Sequence, residues 1–189
     1  MTILQVMAED DRDQIAVRTT DRAAIGKLLA PFGIELDQWE TRDLADAAAQ
    51  DEVLAAYRKE VDDVSAAGGF RFVDVVRMVP DPENEEWRVK AKGARTKFLD
   101  EHRHGENEVR FFVEGRGCFY LHLGDKVYAV VCESGDLISV PAGTTHWFDM
   151  GDVPHFCAIR FFEEEDGWIG DFTGSDIAGR MPTLDELVA

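Results

Sequence analysis

The sequence predicts a mainly β protein, a sandwich or barrel of short strands with helices from an N-terminal extension packed on it. Three observations predict it. From Val109 onward, short apolar runs rich in Val, Ile, Phe and Tyr follow one another at close spacing, separated by turn signals. Residues 1–69 have another texture, rich in Asp and Ala, with apolar residues at helical spacing. The length of 189 residues suits one domain with a sizeable extension and can bury a proper core.

Taken in order, Thr20 or Asp21 can cap a short helix over residues 22–32. Ile25, Leu28 and Leu29 lie on one side of it, and Gly33 stops it. A longer helix is predicted over residues 51–67. Its stripe is Val53, Leu54, Tyr57, Val61 and Val64, and Gly68-Gly69 ends it. Residues 72–79 are β-branched and stop at Pro80, as a strand does. The acidic stretch 80–86 reads as a loop. Gly124-Asp125 and Ser134-Gly135-Asp136 read as hairpin turns. Gly115-Arg116-Gly117 reads as a turn, since no helix follows to make it a nucleotide-binding loop. The acidic run 163–166 reads as a solvated loop, and the segment after Phe172 carries weak structural signals and is expected to be partly mobile. The division is an N-terminal helical extension at 1–69, a barrel at 70–175 and a tail at 176–189.

Composition narrows the function. Acids outnumber bases by 38 to 20, for a net charge of −18. Such a field repels nucleic acid and anionic membrane surfaces, so neither is an expected partner. No apolar run reaches the roughly 20 residues of a membrane span. The first residues lack the pattern of a secretion signal, so a cytoplasmic location and a monomer are expected. The three cysteines, Cys118, Cys132 and Cys157, sit in apolar strand-like segments. Buried reduced thiols are expected, with a single disulfide left open.

The five histidines carry the chemistry. His102 and His104 are two apart, so an extended strand puts both imidazoles on one face. Glu108 can return to the same centre if Gly105-Glu106-Asn107 turns. His146 opens a later strand in SVPAGTTHWF. Three imidazoles and one carboxylate suit Fe, Ni, Mn, Co or Zn. Four protein ligands on an octahedral ion leave two positions open for water or substrate. An HxH pair alone would read as a polar strand edge; the carboxylate and the PAGxxH segment turn the reading towards a metal. Glu106 is the competing carboxylate, assigned to a hydrogen bond with a ligand histidine or to solvent. His122 and His155 read as core or surface residues. Arg110, two residues after Glu108, points to the same face and can hold an anion beside the metal.

The pattern His102-x-His104-x3-Glu108-x6-Gly115 resembles the first motif of the cupin superfamily, and Gly135-x5-Pro141-x-Gly143-x2-His146 resembles the second. Thr96 stands where a glycine usually precedes the first histidine, and Met150 where Asn often ends the second motif. Read in full, residues 97–151 and the following FFEEEDGWIGDFTG resemble the acireductone dioxygenase family, over roughly residues 98–178. The resemblance implies a cupin double-stranded β-helix, or jelly-roll barrel, holding one Fe(II) or Ni(II) per chain through His102, His104, Glu108 and His146. It implies oxidative cleavage of an anionic enediol, 1,2-dihydroxy-3-keto-5-methylthiopentene, by O2 in methionine salvage. Arg110 would neutralise the substrate, and Phe98, Phe148 and Trp168 would line a pocket for its methylthio tail. Two alternatives stay open: a cupin binding module without turnover, and a cupin isomerase or dioxygenase for another substrate.

Overall fold

The computed structural model describes residues 1–45, 48–165 and 168–189. Its strands are β1 (Ile3–Ala8), β2 (Ile15–Thr19), β3 (Glu35–Gln38), β4 (Phe72–Met78), β5 (His102–Arg103), β6 (Glu108–Leu123), β7 (Lys126–Glu133), β8 (Asp136–Val140), β9 (His146–Asp149), β10 (Phe156–Phe162) and β11 (Asp171–Phe172). They pair antiparallel in two sheets that share β6. One runs β11-β5-β9-β6-β7-β1-β2, and the other β4-β10-β6-β8-β3. The result is the two-sheet barrel the strand pattern predicts.

One irregularity lets β6 serve both sheets. Before it, Phe112 points into the barrel while Val109, Phe111 and Val113 point out. After it, Phe119 and Leu121 point in while Cys118 and Tyr120 point out. The parity changes because β6 carries one extra residue opposite Cys157 and Ala158, a β-bulge. Gly115 follows with a φ of 69°, and a Cβ there would run into the His155 carbonyl. The Gly115-Arg116-Gly117 segment is therefore a bend inside a strand and not the predicted turn. The hairpin turns at Gly124 and Gly135 are as predicted, both with positive φ.

Three apolar layers follow. The barrel interior packs Leu4, Phe112, Phe119, Phe148, Phe156 and their neighbours, with Ile25 and Leu29 closing one side. Ile25 and Leu29 come from α1 (Arg22–Leu29), which Asp21 caps as predicted. The outer face of the β4-β10-β6 sheet is covered by Val53 and Tyr57. The outer face of the β6-β7-β1 sheet is covered by Ile177, Met181, Leu184 and Leu187.

Several elements differ from the sequence expectation. Residues 1–69 are not simply helical: β1 pairs with β7, β2 with β1 and β3 with β8, so the barrel takes strands from the supposed extension. The six-residue run of β1 is too short to show a period of its own. The helix predicted over 51–67 is two, α2 (Gln50–Ala56) and α3 (Arg58–Gly68), broken at Tyr57. The Tyr57 hydroxyl accepts from the Arg42 amide at 2.9 Å while its ring packs on Phe111, so tertiary contacts outweigh helix continuity there. Beyond the acidic loop, α4 (Glu85–Leu99) was not foreseen. It is capped by Asn84 but buries only Ala91 completely, so it has almost no apolar stripe to read. Thr96 lies on this helix, which is why no strand glycine is needed there. The tail is a packed cover ending in α5 (Leu184–Val188), not a mobile segment. Of the acidic run 163–166, Asp166 lies outside the described residues.

Asp149 ties three of these parts together. Its carboxylate accepts from Arg95 on α4 at 2.7 and 3.1 Å, from the Gly151 amide at 2.9 Å and from the Leu184 amide at 2.9 Å. Burial raises its pKa, but Arg95 and the two amides outweigh burial and hold it below its ordinary value. A depressed pKa stabilises the fold above the unfolded value, near pH 4, and that contribution is lost as pH falls through the lower folded value. Asp149→Asn should cost on the order of 2–3 kcal/mol at neutral pH, as lost hydrogen bonds to a charged group do. It should also flatten the decline in stability below about pH 4. Urea unfolding of both proteins across that range checks both effects.

Candidate metal centre

The β5–β9 pairing sets His102 directly opposite His146, and His104 follows just beyond β5. The ring centroids lie 4.8 Å (His102–His104), 4.7 Å (His102–His146) and 5.0 Å (His104–His146) apart. One nitrogen from each lies within 4.8 Å of the others, and all three residues are buried. Each ring has its Nδ1 on a backbone carbonyl: Asp100 at 2.6 Å for His102, Thr144 at 2.8 Å for His146 and Ile169 at 3.0 Å for His104. With Nδ1–H donating, each Nε2 keeps a lone pair, the tautomer a metal ligand needs.

Glu108 completes the cluster. Its Oε2 lies 3.2 Å from His104 Nε2 and 3.1 Å from His146 Nε2. Burial pushes its pKa up, but the Arg110 charge and the close approach of the His104 and His146 rings prevail and hold it well below the usual carboxylate range. His102 is pushed below its ordinary value, chiefly by burial and then by the two neighbouring imidazoles. A neutral imidazole and an ionised carboxylate are what ligation requires.

Arg110 donates from Nη2 to Glu108 Oε1 at 2.8 Å. Its guanidinium carbon sits 4.2 Å from the Phe148 ring centre, 5.1 Å from Phe119 and 5.3 Å from Trp168. This aromatic cage holds a cation in an apolar interior. Across the sheet Arg110 faces Arg160, whose charge is met by Asp74 at 2.8 and 2.6 Å. The Nε of Arg110 and the Nε1 of Trp168 are buried donors without an acceptor among the described residues.

The predicted aromatics separate. Phe98 and Trp168 line one cavity of about 560 Å3, together with Arg71, Lys97, Arg160 and Phe162. Phe148 is not among its walls and lies instead under Arg110 in the core. Among the described residues Glu106 makes no hydrogen bond to His102, His104 or His146; it accepts the Glu163 amide at 2.5 Å. His122 bridges Glu9 and Glu101, and His155 pairs with Glu114 near the surface. Met150, in place of the Asn, is buried in the barrel. The cysteines are free and buried. Sequence reasoning missed Arg160, although it shows the same signal as Arg110, a cation within an apolar strand. It also missed Phe119 and the Ile169 carbonyl, a backbone group that no residue type announces.

The ARD/ARD' family profile matches residues 4–170. Acireductone dioxygenase 1 of Nocardia farcinica (strain IFM 10152) is 73% identical over 188 residues, covering 100% of both chains. Acireductone dioxygenase 2 of the same strain is 57% identical, covering 100% of this chain and 98% of its own. The chain belongs to the acireductone dioxygenase family. A solved member of the family, acireductone dioxygenase from Bacillus anthracis with a cadmium ion in its active centre, is 28% identical. It superposes with a TM-score of 0.73 over 91% of this chain and 99% of its own. The barrel is thus the cupin fold, and no helix among the described residues is long and apolar enough to cross a membrane.

The residues present fit a metal ion: three converging imidazoles with their Nδ1 atoms committed elsewhere, beside an ionised carboxylate. His146→Ala should weaken metal binding by well over about tenfold, the loss seen even for residues that only support ligands. His155→Ala, remote and exposed, should leave it unchanged. Titration of apoprotein with Ni(II), followed by calorimetry, distinguishes the two.

Proposed function

We propose that the protein is a metal-dependent dioxygenase that cleaves 1,2-dihydroxy-3-keto-5-methylthiopentene with O2 in methionine salvage. The observation that carries this reading is the buried cluster of His102, His104, His146 and Glu108 with a caged Arg110 against it. In the proposed site those four residues hold one Fe(II) or Ni(II). When bound, the ion supplies Lewis-acid chelation of the enediolate oxygens and a common meeting point for substrate and O2.

The chain's own residues do the rest. Glu108 stays ionised and offsets part of the positive charge. Arg110 cannot ligate a cation, so its remaining N–H groups are available to an anionic substrate oxygen. Its cage keeps water away, which strengthens that contact. Phe98 and Trp168 give the neighbouring cavity an apolar wall suited to a methylthio tail. Phe148 serves as the floor of the Arg110 cage. Nothing in the donor set prefers iron to nickel, since imidazole and carboxylate accept both. A monomer in the cytoplasm accords with the acidic, thiol-bearing chain.

The same ligands holding either ion lead to two product sets. With Fe(II) the products are formate and 4-methylthio-2-oxobutanoate. With Ni(II) they are formate, carbon monoxide and 3-methylthiopropanoate. Both balance against one substrate and one O2. Apoprotein loaded separately with each ion should give carbon monoxide only in the nickel form, measured by headspace analysis beside a keto-acid assay. Identical products would reject metal control of the cleavage, and no O2 uptake with either ion would favour a binding module. Arg110→Ala should keep its metal yet lose roughly 2–4 kcal/mol of transition-state stabilisation, the usual loss for one such donor. A metal-replete variant with normal kcat/KM would contradict the role.

A further inference from the structure

His104 differs from the other two histidines in one respect. The Nδ1 partners of His102 and His146 are carbonyls two residues earlier in the chain, Asp100 and Thr144, so local backbone orients those rings. The partner of His104 is the Ile169 carbonyl, 65 residues away. The segment bearing Ile169 passes over His104 and His102. Trp168 stacks on His104 with ring centres 6.0 Å apart, and Phe172 lies 5.5 Å from His102. Among the described residues its strand pairing is the two-residue β11 against β5, and Ile169 and Phe172 are largely exposed. Apolar packing therefore anchors the segment at Trp168, whose ring lies 4.5 Å from that of Phe162, and does little for the residues after it.

The far end is held by polar contacts. Thr173 Oγ1 donates to Glu101 Oε2 at 2.6 Å, and the Thr173 amide donates to the Glu101 carbonyl at 3.1 Å. The other oxygen of Glu101 pairs with His122 Nδ1 at 2.6 Å, so the buried carboxylate is fixed from the barrel side. We propose that Thr173 and Glu101 form a clasp that holds the 168–173 segment across the metal centre, and that through the Ile169 carbonyl this clasp sets the ring orientation and tautomer of His104. Thr173 is then a positioning residue: it touches neither metal nor substrate and acts through a ligand. The inference rests on the metal reading above.

Thr173→Val removes the hydroxyl donor and little else, while Thr173→Ser restores it. Ni(II) titration of apoprotein should show Thr173→Val binding about tenfold or more weakly, the range for lost support of a ligand, with Thr173→Ser near wild type. In Zn(II)-loaded protein, the slowly exchanging Nδ1–H signal of His104 in the NMR spectrum should disappear in Thr173→Val. Those of His102 and His146 should persist, a selectivity that general destabilisation would not produce. Glu101→Gln, which keeps the shape and weakens the acceptor, should act in the same direction and replaces Thr173→Val should that variant fail to fold. Unchanged Ni(II) affinity with the His104 signal retained would overturn the clasp while leaving the metal site standing. Wild-type protein that binds neither Ni(II) nor Zn(II) would overturn the metal reading and the clasp with it.

Discussion

Two fully charged side chains, Glu108 and Arg110, lie inside a barrel whose other inward residues are almost all apolar. A single buried charge costs several kcal/mol, and the cost is tolerable only with a close opposite charge and further favourable contacts. The surroundings follow from that constraint. The carboxylate is met by one guanidinium and two imidazoles, and the guanidinium by a carboxylate and three aromatic faces. The partners are spread over β6, β9, the end of β5 and the segment after β10, so the cluster forms only when these four parts are in register.

That register is set by β6. One strand must present Glu108 and Arg110 to the interior at one end and Phe119 and Leu121 at the other. A strand of unbroken period 2 would turn one set outward. The bulge before Gly115 corrects the phase, and the positive φ of the glycine carries the bend past the His155 carbonyl. The glycine closing the first sequence motif is therefore there for geometry and contributes nothing to ligation.

The outer layers show how a small barrel gains stability. Both sheet faces are wrapped, one by α2 and α3 and the other by the C-terminal tail, so residues that alternate inward and outward along β6 are buried on both sides. Such strands read as continuous apolar runs, which is why the strand region is conspicuous in the sequence. Asp149 joins α4, β9 and the tail through one carboxylate, coupling the cover to the strand that bears His146.

The sequence by itself determined the strand-rich class, the α1 cap, the hairpin glycines and the four candidate ligands with Arg110. These are set by local spacing: two residues along a strand, or a turn residue with no alternative. Tertiary structure decided the rest. Residues 1–69 supply strands because β1 finds an open edge of β7, and no property of six residues announces that edge. Helix α4 has too narrow an apolar stripe to be read, and the tail is ordered by the sheet face it covers. Phe148 and Trp168 look alike as pocket aromatics in the sequence, yet one lies beneath Arg110 in the core and the other beside a cavity. His104 has the same local sequence logic as His102, but its Nδ1 partner is a carbonyl 65 residues away. Any residue type carries a carbonyl, so only the fold could select that one.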